Sequence, residues 1–379
     1  MSIYEENIRT ITEYFEKGCK KAEDFGIGIE IEHFLLDEYN HSAAYNQVVR
    51  VIQSIMTKKD SPYHLEGHLI GFYNDRYSVT LEPAAQFEIS INPCKTVEQL
   101  VEIYNEFRNV LDSVLFKEKL RLECYGYNPH EKAADLRLIP KKRYEYMNRY
   151  FEKTGTCGKN MMRATASVQV SVDYENEQEA VRKYQLACVL SPVLALMMDN
   201  TPVFEGEKAQ MHLVRTYIWN NVDSDRCALM KGCLDAEFGF RKYAEYIMNI
   251  PAILVMDNGT ARYTGDEKIK DIYADRIMTK AEVEHILSMV FFDVRLKNYI
   301  EIRMADSCDI DRAADYAELI KNIFYNVKCM DVIENYLGNV TERDVAQAKE
   351  SIIADGINGR IYGKKASDVV EFVRKTALK

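Results

Sequence analysis

Two glutamates separated by one isoleucine, in Gly28-Ile29-Glu30-Ile31-Glu32, constrain this chain more than any other feature of its sequence. Strand side chains alternate between faces, so Glu30 and Glu32 point one way while Ile29 and Ile31 point the other. Three distant segments carry the same polar-against-apolar alternation. Thr80-Leu81-Glu82 runs on to Gln86-Phe87-Glu88, and Val168-Gln169-Val170 sets an amide between valines. From Arg295 to Arg303 the odd positions read Arg, Lys, Tyr, Glu, Arg, while Val294, Leu296, Ile300 and Ile302 are aliphatic. Each segment alone has a plain explanation, since a Glu-x-Glu pair is often solvated on an edge strand and a charge stripe often pairs across strands in water. Together they set carboxylates on three strands, an amide on a fourth and cations beside Glu301. Clustered acids repel one another and metal ions are the usual remedy; Mg²⁺ takes its oxygen ligands from carboxylates and phosphates.

With 47% hydrophobic residues the chain has ample material for a core. A formal net charge of −10 excludes the cationic footprint that general nucleic-acid binding needs. Nine cysteines without CxxC spacing, and a first segment with no apolar leader, give the expectation of a reducing cytoplasm. The most apolar stretch, Val189 to Met198, is interrupted by Ser191-Pro192 and stops at Asp199-Asn200. It reads as a core helix rather than a membrane span.

Residues 2 to 22 place Ile3, Ile8, Ile11, Tyr14 and Phe15 at helical spacing before Gly26. Further helices are expected over 43–57, 97–119, 141–151, 177–198, 238–247 and 280–288, and throughout from Arg312 onward with a break at Gly356, Gly359 and Gly363. Strands are expected in several short pieces between 63 and 91, over 121–127, 163–172 and 253–256, and as one strand from Arg295. Arg215-Thr216-Tyr217-Ile218-Trp219 falls in a loop, and Asn258-Gly259 in a turn. No repeat or flexible linker divides the chain, and the four polar-faced segments meet only if residues from about 24 to 306 form one unit. The expectation is one domain over 1–379 of the α+β class, with a C-terminal helical region over about 312–379. Its sheet is antiparallel, polar on one face and covered by helices on the other.

The motifs resemble a known family. Phe25-Gly26-Ile27-Gly28-Ile29-Glu30-Ile31-Glu32, Thr80-Leu81-Glu82-Pro83 through Gln86-Phe87-Glu88-Ile89-Ser90, and Asn160-Met161-Met162 through Val168-Gln169-Val170 are similar to the plant-type glutamate-cysteine ligases. Arg215 to Trp219, followed by Asp223-Ser224-Asp225-Arg226, and Val294 to Asp306 resemble the same family in the same order, so the similarity covers roughly residues 25 to 306. It implies a fold similar to glutamine synthetase, in which a curved antiparallel sheet cradles ATP and two or three Mg²⁺ ions. It also implies the reaction: the γ-carboxylate of glutamate attacks the γ-phosphate of ATP, and the amine of cysteine displaces phosphate from γ-glutamyl phosphate, the first step of glutathione-type thiol synthesis. The alternative is a ligase of the same superfamily with a different amine acceptor. A nucleotide-binding protein without turnover is a third reading, opposed by the presence of all five glutamates and Arg303.

On this resemblance Glu30, Glu32, Glu82, Glu88 and Glu301 hold the metals, which neutralise phosphate charge and orient an in-line transfer. Arg303, Arg295 and Lys297 stabilise the transferring phosphoryl group on the nucleotide side, with Gln169 among them as a neutral hydrogen-bonding partner. Arg215 suits bidentate binding of the glutamate α-carboxylate. Trp219, Met162 and Ala166 match pocket-lining positions, and Arg226 is a substrate-side candidate in competition with simple pairing to Asp223 or Asp225. The implied partners are glutamate, cysteine and ATP, without nucleic acid or membrane, for a monomer or homodimer. Ala84-Ala85 stands where the family usually has two glycines, Arg163-Ala164 replaces an apolar residue followed by Arg, Ala166 stands for a Cys, and Asn220-Asn221 for Thr-Asp. These departures bear on the acceptor: cysteine is expected to remain the best one, less sharply separated from other small amino acids. His64 and His68 lack surroundings suited to zinc, and Cys157 has no base placed near it.

Overall fold

The computed structural model describes residues 2–257 and 259–378. Its centre is β1 (Ile27–Asp37), whose alternation buries Ile27, Ile29, Ile31 and His33 on one side. The other strands of the main sheet are β2 (Ser61–Leu65), β3 (His68–Tyr73), β4 (Tyr77–Leu81), β5 (Phe87–Cys94), β6 (Leu120–Glu123), β7 (Ser167–Val172), β8 (Val294–Leu296) and β9 (Ile300–Asp306). Their order is β8-β9-β7-β1-β5-β4-β3-β2, with β6 paired to the far half of β1. All these pairings are antiparallel, as the α+β expectation required.

Register brings the polar faces together. Glu32 pairs with Glu88 and Glu30 with Ser90 across β1 and β5, while Glu30 pairs with Gln169 across β1 and β7. Ser171, two residues beyond Gln169 and so on the same face, pairs with Glu301. Glu30, Glu32, Glu88, Gln169 and Glu301 therefore share one face of the sheet.

The helices, in chain order, are α1 (Ile3–Glu16), α2 (Tyr45–Ile55), α3 (Val97–Glu118), α4 (Lys142–Thr154), α5 (Gly158–Ala164), α6 (Glu177–Met197) and α7 (Val214–Asn220). They continue as α8 (Phe240–Asn249), α9 (Ile269–Ile272), α10 (Lys280–Leu287), α11 (Ile310–Phe324), α12 (Val327–Leu337), α13 (Glu342–Asp355) and α14 (Ala366–Ala377). The apolar face of β1 meets α3, where the buried His33 ring lies 2.8 Å from the Tyr104 hydroxyl and 3.0 Å from the Phe87 carbonyl. Thr96 and Gln99 close a reciprocal cap at the start of α3, fixing where that helix begins. The expected core helix is α6; it is long and apolar enough to cross a membrane by composition, but most of it is buried within the protein. The C-terminal α11 packs on β1 and β7, and α13 packs on α6 and α7.

Several boundaries differ from the sequence-based expectation. The first helix stops at Glu16, because Gly18 lies against the Asn298 backbone, where a Cβ would sit 2.3 Å from the carbonyl oxygen. Arg163 belongs to α5, and β7 starts only at Ser167. The segment Arg215 to Trp219 is helix α7, not a loop. The stretch from Arg295 to Arg303 is a hairpin, with Arg295 opposite Glu301 across β8 and β9. The polar face is also not left open: α4, α5 and α7 contribute residues that roof it. Residue 258 of the expected turn lies outside the described residues.

Candidate active site

Between the polar sheet face and this roof lies a cavity of about 270 Å³, slightly smaller than the usual range for drug-sized ligands. Glu30, Glu32, Glu82, Glu88, Gln169, Arg215, Trp219, Met162, Arg295 and Arg303 all line it. A larger groove of about 720 Å³ runs between α6 and α12, but none of the expected site residues lines it, and its Arg182 is already paired with Asp331 and Glu334.

The glutamates of the wall are short of positive charge. Glu32 accepts from the Ser167 N–H at 2.8 Å, the Ser167 hydroxyl at 3.0 Å and the Gln169 amide at 3.2 Å. Glu88 accepts from the Thr80 hydroxyl at 2.7 Å and the Ser90 hydroxyl at 3.0 Å. All these donors are neutral. Burial, then repulsion from Glu82 and Glu88, pushes Glu32 up to about 8; burial with Glu301 and Glu88 raises Glu30 to about 7. Burial and Glu82 raise Glu88 to about 7, and burial raises Glu82 despite Lys141 and Arg143. Glu82 hangs on a tight turn after β4, where Ala85 takes a positive φ of 66° and its N–H bonds the Glu82 carbonyl at 2.9 Å. Non-glycine residues adopt this region at a cost, so the turn tolerates Ala-Ala where glycine is usual in the resembling family. Among the described residues no three acidic, His or Cys side chains stand close enough together to ligate one ion as they are. Four oxygen-donor acids with mutual repulsion nevertheless suit a hard divalent cation.

Glu301 has the opposite surroundings. Its carboxylate meets Arg295 at 2.6 Å, Arg303 at 2.5 Å and Lys297 at 3.3 Å. Burial alone would raise it, yet Arg295, Lys297 and Arg303 hold it well below the ordinary carboxylate range. It lies on the shared face but does not line the cavity. Its oxygens serve as counter-ion to three cations, so as a fifth metal ligand Glu301 would share them with the ion. The nucleotide-side expectation for Lys297 is corrected, since it sits at the hairpin turn, donates to the Tyr299 hydroxyl at 2.7 Å and does not line the cavity. Arg303 also donates to the side-chain amide oxygen of Gln169, which links the cationic hairpin to the acidic wall.

On the roof, α7 presents Arg215 and Trp219 four residues apart, with the guanidinium 5.6 Å from the indole centroid. Arg215 donates to the Arg303 carbonyl at 2.9 Å, but its Nε and the Trp219 Nε1 are buried donors without a hydrogen bond among the described residues. Orphaned buried donors are costly unless a ligand takes them. Met162 lines the cavity, whereas Ala166 packs in a separate apolar cluster with Phe34 and Leu36. The pocket-lining expectation for Ala166 is corrected, because it precedes Ser167, the first residue of β7, where the β1 face turns from acidic to apolar. Arg226 is corrected too. It is fully buried, pairs with Asp223 at 2.6 Å, donates to the Met289 and Pro251 carbonyls and does not line the cavity.

Lys141 and Arg143 were not singled out by sequence reasoning, yet both line the cavity opposite Glu82. Burial and the neighbouring Arg143 lower Lys141 to about 8. Arg143 donates to Ser288 at 3.0 Å. Their run, Lys141-Lys142-Arg143-Tyr144, reads as a solvated helix start, and only the presence of acids across the cavity separates the two readings.

Comparison with known proteins gives the family. The family model for Glutamate-cysteine ligase family 2 (GCS2) matches residues 26–337. The chloroplastic glutamate–cysteine ligase of Brassica juncea is 29% identical over 373 residues, covering 96% of this chain and 73% of that protein. The chloroplastic glutamate–cysteine ligase A of Oryza sativa subsp. japonica is 26% identical over 367 residues, covering 94% and 75%. Among solved structures, the glutamate–cysteine ligase of Francisella tularensis in complex with AMP shares the fold with a TM-score of 0.54 at 10% identity, over 94% of this chain and 82% of that one. The cytoplasmic expectation is corrected: these relatives are chloroplastic enzymes. The nine cysteines are all free in the structure. Matched by the family model over most of its length, the chain belongs to glutamate-cysteine ligase family 2 and is a ligase.

Proposed function

We propose that this enzyme joins the γ-carboxylate of L-glutamate to the amine of L-cysteine at the expense of ATP, through γ-glutamyl phosphate. The observation that carries the reading is the division of one cavity into a wall of four under-neutralised glutamates and a facing group of arginines. Glu30, Glu32, Glu82 and Glu88 would hold Mg²⁺, which when bound neutralises phosphate charge and favours in-line transfer. Arg303 and Arg295, fixed by Glu301, face the transferring phosphoryl group, and Gln169 holds Arg303 in place. Arg215 binds the glutamate α-carboxylate with the Nε that the chain leaves free, and Trp219 and Met162 wall the aliphatic stem. Lys141 and Arg143 close the anionic side from above.

The whole chain is assigned to one catalytic unit, because α11 supports the strands that carry the acids and α13 supports α7. The amine of the acceptor is the nucleophile and the thiol is only a recognition handle. Ala166 lies outside the cavity, so acceptor choice falls to its apolar lining, including Met147, Met161 and Phe291. Such a lining separates acceptors that differ by one small group by roughly 10–200-fold. Mass spectrometry after incubation with ATP, Mg²⁺, glutamate and mixed amino acids should return γ-glutamylcysteine as the main product. A different dominant γ-glutamyl product would replace cysteine as the acceptor, and no glutamate-dependent ATP cleavage would refute the ligase reading of this site.

A further inference from the structure

Helix α13 lies beyond residue 337, where the match to the family model ends. It nevertheless packs against α7, the helix that carries Arg215 and Trp219. From its middle, Lys349 reaches the Asp293 carboxylate; the two residues are 3% and 9% exposed. A buried lysine is costly unless it is paired, so this contact is a defined feature rather than a drifting surface pair.

Asp293 is tied to the cavity by its backbone and by its charge. Its carbonyl accepts from the Arg303 N–H at 2.9 Å, and the Arg303 carbonyl accepts from the Arg215 guanidinium at 2.9 Å. It also lines a small hollow shared with Arg215, Trp219 and Arg303. Its charge acts on Arg215, together with those of Glu32 and Asp306. A carboxylate that shares a hollow with a substrate-binding arginine is a competitor for it unless another cation holds it.

We propose that Lys349 is a positioning residue for glutamate binding: by neutralising Asp293 it keeps that carboxylate from capturing Arg215 and leaves the guanidinium free for the substrate α-carboxylate. The inference rests on the assignment of Arg215 to glutamate. It gives the C-terminal helical region a part in substrate affinity rather than in packing alone.

The test is steady-state kinetics on Lys349→Met, on the double variant Lys349→Met/Asp293→Asn, and on Arg215→Ala in parallel. Lys349→Met should raise the glutamate KM about tenfold while the ATP KM and kcat stay within about threefold, because only ground-state binding of glutamate is lost. Adding Asp293→Asn removes the competing charge and should return the glutamate KM to within about threefold of wild type. An unchanged glutamate KM in Lys349→Met, an equal rise in the ATP KM, or a double variant no better than the single would overturn the proposal. If the single variant does not fold, the double variant decides: near-wild-type glutamate KM supports the charge-balance role, and a raised KM or failure to fold refutes it. A glutamate-specific defect in Arg215→Ala beside a silent Lys349→Met refutes only the role of Lys349. An ATP-specific defect in Arg215→Ala refutes the assignment beneath it.

Discussion

Glu30 and Glu301 are the same residue type on the same face of the same sheet, yet their surroundings drive them in opposite directions. Glu30 is raised to about 7 by burial and by its acidic neighbours, while Arg295, Lys297 and Arg303 hold Glu301 well below the ordinary range. The difference divides the polar face of the sheet into a part that has its own counter-ions and a part that is short of them. Cations fixed by Glu301 are held in place before any substrate arrives, which is the form that stabilises developing phosphoryl charge at least reorganisation cost. On the proposed reading, the glutamates around Glu30 gain their balance when a metal binds.

One substitution made in both parts tests this division with the largest effects. Glu301→Gln should lower turnover by orders of magnitude and also destabilise the fold by about 3–5 kcal/mol, because it strands buried arginines without their counter-ion. Glu30→Gln should lower turnover as well, but in Mg²⁺-free buffer it should leave stability unchanged or raised, since it relieves repulsion. Urea denaturation beside turnover assays reads both. A shared sign of the stability change would erase the distinction.

Arg226 sharpens the comparison from the cation side, as a fully buried guanidinium whose three nitrogens each donate within the protein. Arg226→Met should cost about 3 kcal/mol by leaving Asp223 unpaired, with the glutamate and ATP KM of the folded enzyme within about threefold of wild type. A selective rise in either KM would return Arg226 to the substrate side. The smallest effect is expected from Ala166→Cys. It restores the residue usual in the resembling plant enzymes, but outside the cavity, so the cysteine-to-2-aminobutyrate ratio of kcat/KM should move by less than about threefold. A larger change would place position 166 within reach of the acceptor.

The acidic face was legible in the sequence because period-two alternation is strict around Glu30, Glu32 and Gln169, and register then followed from antiparallel pairing. The hairpin was hidden by its own parity. Lys297, Asn298 and Tyr299 fill the turn without Gly or Pro, and Arg295 and Glu301 end on one face whether the segment runs straight or folds back. Helix α7 was hidden because it has only seven residues and no side-chain cap, too little for a periodic signal. Lys141 and Arg143 were missed because a basic helix start looks the same facing water or facing acids. Ala166 and Arg226 erred differently: resemblance carries over a residue's identity, while its neighbours, Phe34 and Leu36 or Asp223, are set by packing.

The most direct test of the borrowed counter-ion is the rise in melting temperature produced by Mg²⁺, measured without nucleotide at pH 5.5 and pH 8. Glutamates whose ordinary value is 4.5 stand at about 7 to 8 in the folded wall, so the folded state holds more protons than the unfolded state between these limits. Stability without metal therefore falls as pH rises through that window. Mg²⁺ binds the deprotonated acids and should restore what is lost, so its stabilisation should be near zero at pH 5.5 and amount to several degrees, roughly 1–3 kcal/mol, at pH 8. In Glu30→Gln the pH 8 gain should shrink sharply. Equal Mg²⁺ stabilisation at both pH values, or a pH 8 gain that survives Glu30→Gln undiminished, would contradict the assignment of the acidic wall to the metal.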